Sequence, residues 1–153
     1  MHIRRFHLSD AKATHAIFRE AVHHGTTAFY TKEQREAWAP NADMPEAWPD
    51  RMADQITYVA EGPEGLEGFF ALNHDGHLDM AYVRPHQMGQ GLAKQLYDAC
   101  LADPAAAHFA RLDTEASHLS RRFFERQGWS VVTEQEIDRF GVKLTNFRME
   151  KIL

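Results

Sequence analysis

Apolar residues follow two different periods along the chain, and the first of them is helical. Ile17, Phe18, Ala21 and Val22 recur at the spacing of one helix face, which predicts an amphipathic helix over residues 10–24. Polar residues fill the positions between them, as expected for a helix that covers a core on one side only.

The boundaries of the first helices are marked by capping signals. Ser9 is interpreted as the N-cap of the first helix, and Gly25-Thr26-Thr27 as its end. Thr31-Lys32-Glu33-Gln34 has the spacing of a capping box, so a second short helix is expected to carry Trp38 before Pro40 stops it. Residues 41–50 contain two prolines and are predicted to be irregular, with one helical turn at most.

From residue 56 onward the pattern becomes that of strands alternating with helices. The sequence predicts strands at 56–60, 68–72, 77–83 and 108–115, helices at 91–102 and 117–127, and a closing antiparallel pair at 129–137 and 140–151 that turns around Asp138-Arg139. This order predicts a mixed α/β sandwich, with helices on both faces of a largely antiparallel sheet.

Composition limits the classes of function that the chain can serve. Its 153 residues suit a single domain, 1–153, and 44% apolar with 25% charged residues is an ordinary globular balance. A net charge of −5 argues against general nucleic-acid binding. No apolar run could cross a membrane and no secretion signal is visible, so we expect a cytoplasmic protein. Cys100 is the single cysteine, and its helical spacing from Leu92 and Leu96 indicates a buried core residue.

The segment with most chemical information is the glycine-containing stretch 83–93, which joins a predicted strand to a predicted helix. Free N–H groups at a helix start hold phosphate oxygens, and glycines let the backbone come close to them. A dinucleotide fingerprint would need a third glycine where this chain has Lys94, and a P-loop pattern is absent. A plain turn that leads into a helix is the remaining alternative.

Two segments resemble signatures of the GNAT N-acetyltransferases. Residues 88–93, Met-Gly-Gln-Gly-Leu-Ala, are similar to the family's coenzyme A motif Gln/Arg-x-x-Gly-x-Gly/Ala. Residues 117–129 are similar to its motif Asn-x-x-Ala-x-x-Phe-Tyr-x-x-x-Gly-Phe. Residues 30–40 and 141–151 resemble a bacterial branch with unassigned substrates. The resemblance implies a sheet of about six to seven strands, mostly antiparallel with one parallel splayed pair.

Three positions depart from the family pattern. Met88 stands where Gln or Arg is usual, although backbone N–H groups do most of the phosphate binding. Ser117 replaces the Asn that usually bonds the pantetheine arm, and a hydroxyl could serve similarly. Phe124 replaces the Tyr that often protonates the departing thiolate, so the usual general acid is missing.

The resemblance also implies a set of residues that bind acetyl-CoA. The strand that contains residues 80–83 would offer backbone N–H groups to the thioester carbonyl, as an oxyanion hole does. The loop at 88–93 would take the pyrophosphate. The expected cofactor-binding residues are Met80, Tyr82, Val83, Met88, Gly89, Gln90, Gly91, Leu92, Ala93, Lys94, Ser117, Ser120, Phe123 and Phe124. The two phenylalanines fit plain core packing equally well.

Candidate catalytic groups lie at the ends of the strands that flank the splay. Asp79 and Glu115 could accept the ammonium proton, directly or through water, or could be ordinary exposed or ion-paired acids. His118 could act as base or acid, or cap a helix. Tyr30, Tyr82 and water are candidates for the missing acid.

The acceptor pocket is expected, by analogy with the family, to be built from the first helix pair. Its candidate residues are Thr26, Thr27, Phe29 and Trp38, together with Tyr30. We expect no metal, because the densest histidine cluster, residues 74–77, lacks the ligand spacing of a zinc site.

The expected function is acetyl transfer from acetyl-CoA to an amine of a small molecule or protein, directly in a ternary complex. A non-catalytic acyl-CoA-binding or sensing module is the alternative, motivated by Phe124, and a partner-binding domain that has lost the cofactor is a third. We expect no nucleic-acid or membrane partner. Because domains of this family commonly associate in pairs, a homodimer is also expected.

Overall fold

The protein is built around one seven-stranded sheet whose strands are ordered β1-β2-β3-β4-β5-β7-β6. The computed structural model describes all residues from 1 to 153. The strands are β1 His2–Arg5, β2 Ile56–Gly62, β3 Gly65–Leu72, β4 His77–Val83, β5 Arg111–Ala116, β6 Ser130–Arg139 and β7 Val142–Ile152. Every neighbouring pair is antiparallel except β4 and β5, which run parallel. The predicted mixed sheet with one parallel pair is therefore confirmed.

Helices cover both faces of this sheet, as the order of elements predicted. They are α1 Ala11–Gly25, α2 Lys32–Trp38, α3 Trp48–Ala53, α4 Leu92–Ala102 and α5 His118–Arg126. Helices α1 and α3 pack on one face, α4 and α5 pack on the other, and α2 packs against β7. No helix of the structure combines the length and the apolar character that a membrane crossing requires.

The two faces of β3 carry two separate hydrophobic cores. Phe69 points into the core under α1 and α3, where it meets Ile17, and Phe70 points into the core under α4 and α5, where it meets Leu96 and Phe124. This division follows from the alternation of side chains along a strand. Because both faces of the central strands are buried, their sequences are almost continuously apolar.

Strand β4 carries one extra residue that ends its pairing with β5. Leu72 of β3 lies opposite Leu78, but Ala71 lies opposite Met80, so Asp79 has no partner across the ladder. Such a bulge bends its strand and increases the local twist. The parallel ladder between β4 and β5 accordingly covers only two pairs, at His77 and Leu78, after which the two strands separate.

Several boundaries differ from the sequence predictions: β3 begins at Gly65, β5 begins at Arg111, and the helix α3 begins at Trp48, inside the stretch predicted to be irregular. The start of α1 and the final turn also differ, and both have a local cause.

Ser9 is not the cap of α1: it lies inside a short 3-10 helix, Leu8–Asp10, and α1 begins at Ala11. The reason is the carboxylate of Asp10, which accepts hydrogen bonds from the guanidinium of Arg4 at 2.8 and 3.0 Å and from the backbone N–H of His7 at 2.8 Å. Because of these bonds, Asp10 takes the N-cap position of α1, one residue after the predicted cap at Ser9.

The final hairpin turns at Phe140-Gly141 rather than at Asp138-Arg139. Both turn residues have positive φ, 54° and 81°, which is the geometry of a two-residue hairpin whose twist matches the strands. The Asp138 carboxylate accepts the N–H of Gly141 at 2.9 Å, so it supports the turn instead of forming its tip. The capping boxes at Thr31 and Ser117 are present, the first as predicted.

We expect Gly76→Ala to destabilise the fold where β4 and β5 pair. Gly76 has a φ of +87°, and an added Cβ would lie 2.7 Å from the backbone oxygen of Arg111, which cannot move without disturbing β5. The free energy of unfolding should fall by about 2 kcal/mol or more in urea titrations. Gly141→Ala is the matched control, because it has a similar φ and no atom within 4 Å of the added carbon. Equal losses in the two variants would contradict this account of Gly76.

Candidate functional site

A continuous cleft passes through the gap between β4 and β5. It consists of two cavities of similar size, about 440 and 430 Å³. We call the first the loop-side cavity, because the loop before α4 lines it, and the second the hairpin-side cavity, because the β6–β7 hairpin lines it. Both are lined by Trp38, Leu78, Asp79, Tyr82, Glu115 and Ser117. Groups bound in the two cavities would therefore meet at the splay.

The loop before α4 presents a row of unused backbone N–H groups to the loop-side cavity. Gly89 and Gly91 have φ values of 77° and 84°, and a Cβ on either residue would meet no atom within 4 Å. The structure contains no hydrogen bond from the N–H groups of Gly89, Gly91, Leu92, Ala93 or Lys94. Because the helix dipole places partial positive charge at the same point, the loop is suited to phosphate oxygens.

Strand β4 offers a second set of backbone groups. The N–H of Arg84 donates to the carbonyl of Glu67 on β3 at 2.8 Å, so the alternation of an antiparallel ladder directs the N–H groups of Ala81 and Val83 away from β3, towards the gap. Pairing with β5 has already ended at Leu78. The edge of β4 can therefore donate hydrogen bonds to a ligand that lies in the cleft.

The two candidate carboxylates have opposite environments. Asp79 accepts hydrogen bonds from Arg51 at 2.8 and 3.0 Å and from Gln55 at 2.9 Å. Burial alone would raise the pKa of Asp79, but these bonds and the Arg51 charge outweigh it and the net pKa is lowered. A carboxylate held in this way is a weak base. Glu115 is exposed, lines both cavities and forms no ion pair, with Arg148 opposite it on β7.

The candidate tyrosines also differ. The hydroxyl of Tyr30 donates to the carbonyl of Thr145 at 2.7 Å and accepts the N–H of His118 at 3.1 Å, so its proton is already engaged. Tyr82 lines both cavities. Desolvation there raises the pKa of Tyr82 more than the neighbouring Trp38 lowers it. Its hydroxyl therefore stays protonated at neutral pH, and it donates that proton to no protein acceptor.

The sequence and the fold are similar to those of known proteins of one family. Residues 26–151 match the acetyltransferase (GNAT) domain family. N-acetyltransferase YafP of Escherichia coli (strain K12) is 29% identical over 148 residues, which cover 96% of this chain and 93% of YafP. The crystal structure of a GCN5-related N-acetyltransferase from Rhodopseudomonas palustris superposes with a TM-score of 0.91 at 31% identity, over 99% of this chain and 95% of that one.

The chain belongs to the GNAT acetyltransferase family.

A more distant structure shows the same fold. The paiA N-acetyltransferase of Thermoplasma acidophilum, solved in complex with coenzyme A, has a TM-score of 0.76 at 17% identity, with 99% of this chain and 98% of that chain covered. The resemblance that the motifs at 88–93 and 117–129 indicated is thereby confirmed for both family and fold.

Most of the GNAT cofactor residues expected from the sequence lie together. The loop-side cavity is lined by Tyr82, Val83, Met88, Gly89, Gly91, Leu92, Ala93, Lys94, Ser117, Ser120, Phe123 and Phe124. Met80 lines only the hairpin-side cavity, and Gln90 lines neither. The Met88 methyl group packs on Gly25, where an added Cβ would lie 2.6 Å from it, so this side chain anchors the loop to the end of α1.

The second GNAT motif is used partly for folding. The Ser117 hydroxyl accepts the N–H of Ser120 at 3.0 Å and caps α5. Phe124 is fully buried and packs on Trp129 with ring centroids 4.9 Å apart, whereas Phe123 is partly buried. Phe124 is thus a core residue whose edge reaches the cavity, and it leaves the acid role to another group.

Several expected residues lie away from the cleft. The His118 ring packs between Phe29 and Phe147, with centroid distances of 5.9 and 5.0 Å, and lines neither cavity. Phe29 and Thr27 are exposed and also line neither. Thr26 is buried, its hydroxyl donates to the carbonyl of Val22 at 2.6 Å, and it lines the loop-side cavity instead of the hairpin-side cavity. Of the expected pocket residues, Trp38 and Tyr30 line the hairpin-side cavity.

The sequence analysis missed other residues that line the cleft. Gln87, Arg126 and Gln127 line the loop-side cavity. The hairpin-side cavity also contains Arg51 and Phe140. Gln87 lies next to the recognised motif and could have been found from it, but nothing local links Arg51 to Asp79. No group of three or more His, Cys, Asp or Glu side chains converges on a point where a metal could bind.

We expect Asp79→Asn to change the acid stability of the fold. A lowered carboxylate pKa contributes stability above the unfolded value of about 3.9, and this is lost as pH falls through the folded value. The variant should be about 1 kcal/mol less stable at pH 7, and the difference should shrink below about pH 4. Urea titrations between pH 7 and 3 measure it. Asp98→Asn, which breaks an exposed pair with Lys94, is the control and should show no such difference in stability. If the stability difference between Asp79→Asn and the parent protein did not change with pH, it would not come from the lowered pKa of Asp79.

Proposed function

We propose that this protein is an N-acetyltransferase that moves the acetyl group of acetyl-CoA to an amine by direct transfer in a ternary complex. The observation that carries the proposal is the shared wall of the two cavities. A donor in the loop-side cavity and an acceptor in the hairpin-side cavity would both reach Glu115 and Tyr82. The acetyl group would therefore pass from donor to acceptor without either ligand leaving its cavity.

The donor's phosphates would be held by the unused N–H groups of the α4 loop. The positive φ of Gly89 and Gly91 and the open space beside them supply the close approach that a pyrophosphate needs. The pantetheine arm would follow the free edge of β4. The N–H groups of Ala81 and Val83 would bond that arm and stabilise an oxyanion on the carbonyl.

The chemical step requires that the ammonium nitrogen lose two protons and that the departing thiolate gain one. The amine nitrogen attacks the carbonyl carbon, a C–N bond forms, and the C–S bond then breaks. Glu115 would take the proton that the ammonium must lose, directly or through water, because it is the carboxylate of the shared wall without an ion pair. Tyr82 would give its proton to the departing thiolate, a role that Phe124 cannot perform. The second proton that the nitrogen loses would then restore the Tyr82 hydroxyl, directly or through water.

Binding of the donor is tested by isothermal titration calorimetry with acetyl-CoA. Gly89→Asp should raise the Kd at least about tenfold, because its carboxylate would face the phosphates. Gly141→Asp is the matched control, with a similar φ in the hairpin turn and open space around it, and should bind normally. If both variants bind like the parent protein, the α4 loop is not the phosphate site.

The catalytic roles are tested by the release of free thiol with a panel of primary amines. Glu115→Gln and Tyr82→Phe should each lower kcat about 100-fold while the Kd for acetyl-CoA stays unchanged. Glu134→Gln, an exposed β6 substitution outside the cleft, should leave kcat unaltered. Tight acetyl-CoA binding with no thiol release for any amine would contradict the enzyme and support a binding module instead.

A further inference from the structure

Aromatic side chains form a continuous row along the hairpin-side cavity. Trp48 stacks on Phe18 with ring centroids 5.5 Å apart, and Phe18 meets Tyr82 edge-on at 5.1 Å. Tyr82 lies 6.4 Å from Trp38, which in turn meets Tyr30 at 5.3 Å. All of these residues line the cavity. One wall of the cavity is therefore aromatic from end to end.

The rings of this row pack against the hydrophobic clusters, but they differ in how much of their surface is left exposed. Trp48 and Tyr30 are buried, and their polar atoms are engaged, with the Trp48 indole N–H donating to the Thr14 hydroxyl at 3.0 Å. Phe18, Trp38 and Tyr82 remain partly exposed, and the surface they expose lies in the cavity. Aromatic rings left open in a cleft form a surface on which a second ring can pack.

A further aromatic residue, Phe140, lies at the hairpin tip with a backbone conformation that is unfavourable for a bulky side chain. Phe140 has a φ of +54°, in the left-handed region that bulky side chains avoid, and it is 81% exposed. It forms no ring contact within the protein, yet it lines the cavity. Asparagine would suit this turn position better. A strained and exposed ring contributes nothing to the fold, which points to a role in binding.

The charges of the cavity favour a cation at the splay. Arg51 neutralises Asp79, His77 is paired with Asp113, and burial lowers the pKa of His15 so that it is neutral. At the wall shared with the loop-side cavity, Glu115 forms no ion pair, although Arg148 lies opposite it on β7. Arg139, which has no ion pair, is exposed on the hairpin. An ammonium group would therefore be drawn to Glu115, at the end where acyl transfer takes place.

The volume of the cavity limits the size of its occupant. About 430 Å³ is near the lower end of the range for small-molecule sites. It can enclose one or two fused rings with a short side arm.

We propose, building on the proposed function, that the acceptor is a small arylalkylamine. Its ring packs against Phe18, Trp38 and Tyr82, Phe140 covers it from the hairpin, and its primary ammonium meets Glu115. The ammonium loses its proton to that carboxylate, and the amine nitrogen then takes the acetyl group.

Steady-state thiol release with matched amines tests the acceptor class. We expect kcat/KM for 2-phenylethylamine to exceed that for 2-cyclohexylethylamine at least about fivefold, because the two share length and charge but differ in aromaticity. Aniline, which carries no ammonium at neutral pH, should be a poorer acceptor than 2-phenylethylamine. Equal or better turnover of 2-cyclohexylethylamine or of aniline overturns the acceptor class while leaving the proposed function intact. No turnover of any amine overturns both.

Phe140→Asn tests the hairpin ring separately. The variant should raise the KM for 2-phenylethylamine at least about fivefold and raise the Tm, with an unchanged Kd for acetyl-CoA. Val132→Asn, at an exposed apolar position of β6 outside the cavity, should change neither the KM nor the Kd. A higher Tm with an unchanged KM would show that Phe140 does not contact the acceptor, and would overturn the assignment of the hairpin ring.

Discussion

The extra residue in β4 is the constraint on which the site depends. Because Asp79 has no partner on β3, the strand bends and its parallel ladder with β5 stops after Leu78. The gap that follows breaks an otherwise continuous sheet and leaves one edge of β4 unpaired. The loop-side and hairpin-side cavities meet at that gap, so a single local irregularity creates the passage in which the proposed donor and acceptor would meet.

The bulge also separates the roles of two carboxylates that are equivalent in the sequence. Asp79 is fixed to Arg51 and Gln55, and these bonds hold α3 against the bulged strand. Its charge is neutralised and its proton affinity is low. Glu115 lies across the gap on β5, which is paired with β7 along its whole length and therefore rigid. The carboxylate proposed as the base and the structural ion pair thus lie on opposite sides of the cleft.

Local signals predicted the elements and the family, but not the assembly of the site. The capping box at Thr31 and the glycines at 89 and 91 act within a few residues, so a sequence pattern reveals them. The Asp79–Arg51 pair and the Tyr30–Thr145 bond join residues 28 and 115 positions apart, and no local pattern encodes them. The same limit explains why His118 was a catalytic candidate in the sequence but lies outside the cleft in the structure. Its position beside the motif suggested catalysis, whereas tertiary packing places its ring between Phe29 and Phe147.

The central claim is that ligands meet at the splay, and amide chemical shifts test it most directly. In ¹⁵N–¹H correlation spectra, saturating acetyl-CoA should shift the amides of Ala81 and Val83 together with those of Gly89, Gly91 and Ala93. Amides of β1 and of the β2–β3 turn should stay in place. Shifts in the α4 loop without any at Ala81 and Val83 would show that the donor does not enter the gap, and would contradict the account.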